Sequence, residues 1–262
     1  MRKTILITGA TDGIGRKTAE LLTSLGHCVL VHGRTEEKAE RTARELGGER
    51  PLDHYVADLS DLGQVEALAQ AVAERHPRLD VLINNAGVYL VPRAASHGLD
   101  LRFMVNTIAP YLLTLRLLPQ LGPEGRVVNL SSAAQAPVDL QALAGVTRLG
   151  DHAAYAQSKA AITAWTRHLA ETLPSGPTFL AVNPGSLLAS KMVKEAFGVP
   201  GSDLGIGAEI LRRAALDDAF GPEASGRYWD NDSHRFADPH PDAMNPSKAA
   251  AIVQWMDELL AP

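Results

Sequence analysis

The sequence predicts an α/β fold, a doubly wound parallel sheet of about seven strands with helices on both faces. Three observations carry this. Short apolar runs of strand length recur from the first residues onward, and helix-length segments separate them. The runs are continuous and not alternating at their centres, ILI at 5–7 within KTILIT (3–8) and CVLV at 28–31 within HCVLVH (27–32), which suits strands covered on both faces. Glycine-rich turns sit where strands hand over to helices, and right-handed crossovers then set the winding.

The elements follow in order. Residues 3–8 read as a buried strand, and 14–25 as a helix with Ala19, Leu22 and Leu25 on one face. Residues 27–32 form a second strand. A polar-faced helix at 35–46 takes Thr35 as N-cap, with Glu36 and Glu37 in its first turn. Tyr55-Val56-Ala57 is a short strand, and 61–75 a helix opened by Asp61. Residues 79–84 (LDVLIN) form a strand, 99–118 a long helix, 126–131 a strand, 154–172 a helix and 178–182 a strand. Two stretches break the alternation. Residues 184–222 carry several Gly and Pro and read as a mobile insertion, with 186–222 as a substrate lid. Residues 230–246 (DNDSHRFADPHPDAMNP) read as a Pro-rich surface loop before a last helix at 247–260. A single domain over 1–262 is expected.

Composition narrows the class. Of 262 residues, 45% are hydrophobic and 21% charged, which excludes disorder of the whole chain. The formal charge of −5 gives no global electrostatic case for nucleic acid as a partner. The lone cysteine, Cys28, forbids an intrachain disulfide, reads as a small hydrophobe, and points to the reducing cytoplasm. The start is basic and then apolar, but Thr8 and Gly9 end the apolar run too early for a signal segment. No run reaches the roughly 18 apolar residues that a membrane span needs.

Between the first strand and first helix lies Thr8-Gly9-Ala10-Thr11-Asp12-Gly13-Ile14-Gly15. Glycines here make a tight turn and let the backbone approach a pyrophosphate, while the helix N-terminus offers free N–H groups. The end of the second strand would meet the adenosine ribose. An acid there favours NAD, but this chain has His32-Gly33-Arg34-Thr35, and a guanidinium suits a 2′-phosphate. NADP(H) is therefore expected over NAD(H), with Asp12 a mild counter-argument. Farther on, Tyr155 and Lys159 are one turn apart on a helix face. An ammonium near a phenol favours the phenolate, which would make Tyr155 an acid/base near neutral pH.

These motifs keep company. The glycine turn, Asn84-Asn85-Ala86-Gly87, Asn106, Ser131-Ser132, Tyr155-x-x-Ser158-Lys159 and Asn183-Pro184-Gly185 occur in that order. The set resembles the short-chain dehydrogenase/reductase family, over residues 3 to about 229. Gly98-Leu99-Asp100-Leu101-Arg102-Phe103-Met104-Val105-Asn106, then Tyr111-Leu112-Leu113-Thr114, is similar to its retinol dehydrogenase-like branch, as is Gly226-Arg227-Tyr228-Trp229.

The resemblance implies a Rossmann fold and roles for matching positions. Tyr155 would exchange the proton at the substrate oxygen, and Lys159 would lower its pKa and bind the nicotinamide ribose. Ser132 would hydrogen-bond the developing alkoxide. Asn106 would hold a water in a relay to Lys159. Gly9, Thr11, Asp12, Gly13, Ile14, Gly15 and Arg34 would line the phosphates and ribose, with Asp58 and Leu59 at the adenine edge. Asn85, Ala86 and Gly87 would shape the cofactor floor, beside Pro184 and Gly185. One departure stands out: the family usually has Thr shortly after Pro-Gly, and here Ala189 is followed by Ser190.

The expected activity is NADP(H)-dependent interconversion of an alcohol and a carbonyl on a small, apolar substrate. Reduction of a carbon–carbon double bond and a catalytically silent NADP-binding sensor are the alternatives. The resemblance admits a homodimer or homotetramer through 99–118 and 154–172. No metal is expected: His234 and His240, near Asp232, Asp238 and Asp242, lie on the Pro-rich loop without rigid spacing. His152 is a candidate for the pocket mouth.

Overall fold

The computed structural model describes residues 1–91, 98–186, 188 and 201–261. The chain winds as β1 (Thr4–Ile7), α1 (Gly13–Ser24), β2 (Cys28–Gly33), α2 (Glu36–Gly47), β3 (His54–Val56), α3 (Leu62–Arg75) and β4 (Val81–Asn84). A helical segment follows as α4 (Leu101–Phe103), a π-turn (Met104–Ile108) and α5 (Ala109–Leu121). Then come β5 (Arg126–Leu130), α6 (Leu140–Leu143), α7 (Asp151–Thr172), β6 (Thr178–Asn183) and α8 (Leu204–Leu216). The last elements are β7 (Tyr228–Asp230), β8 (Arg235–Ala237), α9 (Pro241–Met244) and α10 (Pro246–Leu260).

The strands form one sheet in the order β3-β2-β1-β4-β5-β6-β7-β8. All neighbours are parallel except β7 and β8. The two-residue period of a strand explains the unbroken apolar runs. Ile5 and Ile7 of β1, Val29 and Val31 of β2, and Val81 and Ile83 of β4 face one core, under α1 and α8. Leu6, Leu30 and Leu82 between them face the other, under α3, α5, α7 and α10. Neither side of the central strands meets water, as a sheet wrapped by helices requires.

Helix starts follow their caps. Asp12 accepts from the Gly13 N–H at the start of α1, and Asp61 from Gly63 and Gln64 at the start of α3. Thr35 precedes α2 without a side-chain cap bond. Helix α1 ends one residue earlier than its pattern suggests, so Leu25 is exposed instead of packed. Helix α7 begins a turn earlier than the expected 154, at Asp151.

Two corrections concern the stretches outside the simple alternation. The sheet has eight strands, because part of the expected surface loop 230–246 pairs as β8. Its Phe236 lies under Arg227, 4.1 Å from cation to ring centroid, and against Trp229 at 5.1 Å and Phe220 at 5.3 Å. One aromatic among many polar residues is too weak a pattern to read as a strand, but it anchors the edge. The second correction concerns the expected mobile insertion, 184–222, which contains α8, packed along α1. Gly207 of α8 lets the helices touch: a Cβ there would stand 3.2 Å from Ile14 Cγ2 and 2.7 Å from Leu188 Cδ1. The glycine serves packing, not movement. Of the expected lid, Leu187, Met192, Val193, Phe197 and Val199, together with the Ala189-Ser190 position, lie outside the described residues.

Cys28 is half-buried against the second core. Among the described residues, no helix is long and apolar enough to cross a membrane.

Replacing Phe236 with Ala should cost about 2 kcal/mol, since the side chain is half-buried and makes two aromatic pairs. Urea unfolding measures that loss. Hydrogen exchange should show it concentrated in β8, and uniform loosening of the sheet would contradict this account.

Candidate active site

Strand order reverses at β1, which has β2 on one side and β4 on the other. The chain leaves β1 and β4 in opposite directions there, which opens a crevice at the carboxyl ends of the strands. A cavity of about 410 Å³ lies in that crevice. Its walls come from the loops after β1, β2, β3, β4, β5 and β6, and from α7.

The loop after β1 supplies Gly9, Thr11, Asp12, Gly13, Ile14 and Gly15 to the cavity. Its shape depends on contact with the loop after β4. Thr8 Oγ1 accepts from the Asn85 and Ala86 N–H groups, at 3.0 Å each. Asn85 Nδ2 donates to the carbonyls of Thr8 at 2.8 Å and Gly9 at 3.2 Å. Gly9 takes φ +66°, where side chains are strained, and a Cβ on Gly15 would come within 2.3 Å of Asn85 Nδ2 and 2.4 Å of the Gly9 carbonyl oxygen. The glycines are thus required by protein contacts before any ligand arrives. They also leave a cradle that side chains would fill.

His32, at the end of β2, is a support that the motif reading passes over. It is buried, its Nδ1 accepts from the Gly9 N–H at 3.1 Å, and its Nε2 reaches the Ala57 carbonyl at 3.1 Å. Those bonds fit only the neutral ring protonated at Nε2, which donates to Ala57. Burial holds the imidazole pKa down to about 4.

Arg34 and Thr35 line the cavity next to His32, and Asp58 and Leu59 line it from the loop after β3. Asp58 is occupied locally, accepting from the Ser60 N–H at 2.9 Å and the Ser60 hydroxyl at 2.8 Å. Lys38, four residues beyond Arg34 and in the first turn of α2, joins the wall. The spacing from Arg34 is its only sequence signal.

At the other end, Lys159 is almost wholly buried and donates from Nζ to the Leu130 carbonyl at 2.7 Å. Burial lowers its pKa to about 8. Its ammonium stands 5.7 Å from the Tyr155 ring centroid. Burial raises the Tyr155 pKa, while a hydrogen bond with the Ser132 hydroxyl opposes the rise. The expected lowering by Lys159 is therefore not the net result here. Desolvation of the phenol dominates, and Lys159 spends one of its N–H donors on a backbone carbonyl.

Asn106 and Ser132 do not line the cavity wall, but both touch residues that do. The π-turn widens the helical segment at Asn106. Its Oδ1 accepts from the Val88 N–H at 2.8 Å, and Nδ2 donates to the Val88 carbonyl and to Ser158 Oγ, both at 3.0 Å. Both amide protons are used, and one lone pair of Oδ1 remains. Gly87 keeps space beside it: a Cβ would lie 3.4 Å from Asn106 Oδ1 and 3.6 Å from Lys159 Nζ. Tyr89, which sequence reasoning also passed over, sets its ring edge-to-face on Tyr155 with centroids 4.8 Å apart. Its hydroxyl meets exposed His152 at Nδ1, 3.3 Å away; His152 itself does not line the cavity.

Pro184 lines the cavity after β6. Gly185 does not; it faces Leu188, Asn231 and Asp232. Asp232 accepts from Asn183 Nδ2, the Ser186 N–H and the Ser186 hydroxyl, so it fastens this loop. His240 caps α9 by accepting from the Asp242 N–H.

The family profile described as short chain dehydrogenase matches residues 3–198. This chain belongs to the short-chain dehydrogenase/reductase family. Within it, the chain sits with the retinol dehydrogenase-like branch. It is 38% identical to retinol dehydrogenase 13 of Homo sapiens over 194 residues, 70% of this chain and 58% of that one. It is 39% identical to polyprenol dehydrogenase of Mus musculus over 180 residues, 64% of this chain and 54% of that one. The match thus spans less than two thirds of these relatives' length. Among solved structures, a putative uncharacterized protein from Mycobacterium paratuberculosis superposes with a TM-score of 0.82 at 28% identity, over 98% of this chain and 92% of that one. The Pseudomonas aeruginosa RhlG/NADP active-site complex superposes with a TM-score of 0.71 at 25% identity, over 87% and 94%.

A nicotinamide cofactor fits these residues. The glycine cradle is open where a Cβ would close it, and cations and buried polar groups stand at the two ends of one cavity.

Gly15→Ala should abolish cofactor binding in equilibrium dialysis, because its methyl group meets the Gly9 carbonyl oxygen as well as Asn85 Nδ2, and the backbone oxygen cannot swing away. Binding within about threefold of the parent would contradict this. The neutral His32 makes stability depend on pH. Its pKa is lower folded than unfolded, so the stability it protects is whole above about 6.5 and is lost as pH falls toward 4. The loss integrates to about 3 kcal/mol. Urea unfolding at several pH values should show that slope, and His32→Asn should flatten it.

Proposed function

We propose that this member of the family is an NADP(H)-dependent oxidoreductase that interconverts an alcohol and a carbonyl on a small, apolar substrate, with Tyr155 as the acid/base. The observation that carries the reading is one cavity with two chemically different ends. At one end stand Arg34 and Lys38; at the other, Tyr155 is hydrogen-bonded to Ser132 above the buried Lys159.

The cation end supports NADP(H) over NAD(H). Among the described residues, neither Arg34 nor Lys38 has an ion pair. Like charges lining one cavity repel, and a lysine in the first turn of α2 opposes the helix dipole. An anion between them, such as a 2′-phosphate, reverses both penalties.

At the reacting end, the bound nicotinamide would supply or accept a hydride. The remaining work falls to side chains. Tyr155 would give its phenolic proton to a carbonyl oxygen or take one from an alcohol. Ser132 would share the charge on that oxygen, and Lys159 would return the proton through a water on the free lone pair of Asn106 Oδ1. Tyr155 and Lys159 are both in place, which argues against a silent sensor. The proposal includes action as one domain over 1–262, and a reducing, cytoplasmic setting supported by the lone Cys28.

Tyr155→Phe should lower turnover by about a thousandfold while NADPH binding stays within about twofold, measured by stopped assay and by fluorescence titration. Retained turnover would sink the acid/base role. Replacing Arg34 and Lys38 with Ala should weaken NADPH by about tenfold or more and NADH by less than about threefold. Equal losses would remove the case for NADP.

A further inference from the structure

Arg102 has no part in the roles above, and its setting is unusual. An arginine is seldom fully buried, yet this one has no exposed surface. Its Nε and Nη2 fork onto Asp100 at 2.8 and 2.6 Å. Its Nη1 donates to Asp151 and to the Tyr89 carbonyl, the latter at 3.4 Å. Asp100 also caps α4 through the Arg102 N–H at 2.9 Å. Two carboxylates and a carbonyl thus surround one cation, which offsets the cost of taking it out of water.

The far ends of these bonds converge on Tyr155. Asp151 is the first residue of α7, one turn before Tyr155. Tyr89 packs its ring on Tyr155 at 4.8 Å. Tyr89 follows Val88, both of whose backbone groups are bonded by Asn106. One helical segment therefore grips two adjacent residues of the loop after β4, through Asn106 and through Arg102. Arg102 ties that loop to the first turn of the helix that carries Tyr155 and Lys159, while Asn106 ties it farther along, at Ser158, and the Tyr89 hydroxyl meets His152.

We propose that Arg102 is a positioning residue for the reaction. From below the site it clamps the Tyr89 loop to the first turn of α7, and so holds the Tyr89 ring against Tyr155. The inference rests on the acid/base reading of Tyr155. Arginine is required because a planar fork with five donors can serve three acceptors in different directions, whereas an ammonium is a single point.

The test uses the full chain labelled with ¹³Cζ-tyrosine. It has five tyrosines, and single Tyr→Phe variants assign their signals. In Arg102→Met, the Tyr155 and Tyr89 signals should move while those of Tyr55, Tyr111 and Tyr228 stay. With 4-nitrobenzaldehyde and NADPH, kcat should fall by about tenfold while KM for NADPH stays within about twofold. Arg102→Lys should not restore kcat. Asp151→Asn, at a half-exposed position that folding tolerates more easily, should move the same two signals by less. A Tyr155 signal unmoved in both variants, equal movement of all five signals, or kcat unchanged in the folded fraction would each overturn the clamp. The two readings fail differently: full activity in Tyr155→Phe removes the acid/base role, whereas an inactive Tyr155→Phe beside a fully active Arg102→Met removes only the clamp.

Discussion

The structure depends on how closely the turn after β1 lies against the loop after β4. Asn85 donates to the Thr8 and Gly9 carbonyls, and Thr8 accepts from the two backbone N–H groups that follow β4. Those bonds form only if no side chain projects from Gly15, so the glycine spacing is dictated first by this approach. The consequence is a crevice whose floor is backbone. The N-terminus of α1 lines that crevice through Gly13, Ile14 and Gly15, a place where an anion is favoured.

Polar groups around the crevice are mostly spent on one another. His32 holds Gly9, Asn106 holds Val88, Lys159 holds the Leu130 carbonyl, and Asp232 holds Ser186. Each bond fixes a loop end that carries another site residue. Such buried bonds are costly to leave half-made, so the cavity walls are set by the protein. Arg34 and Lys38 are the exception among the residues discussed, and their charge stays available at the wall.

Much of this was legible in the sequence because it is local. A strand covered on both faces must be apolar at every position, so its apolar run marks it, and a glycine turn or a Tyr-x-x-x-Lys pair can be read within a few residues. Pairings over distance were not legible. His32 meets Gly9 and Ala57, Tyr89 meets Tyr155 and His152, and Arg102 meets Asp151, all across separations that carry no periodic signal. Strand β8 was hidden for a similar reason, since its one anchoring aromatic finds its partners on other elements.

The sequence by itself determined the winding, the place of the crevice and the identity of the motif residues, because backbone preference and burial on both faces of a sheet act residue by residue. Only the tertiary structure decided the electrostatics. Whether Tyr155 is held above or below its ordinary pKa depends on how much water is excluded around it and where the Lys159 ammonium sits, and both are set by residues brought together by the fold.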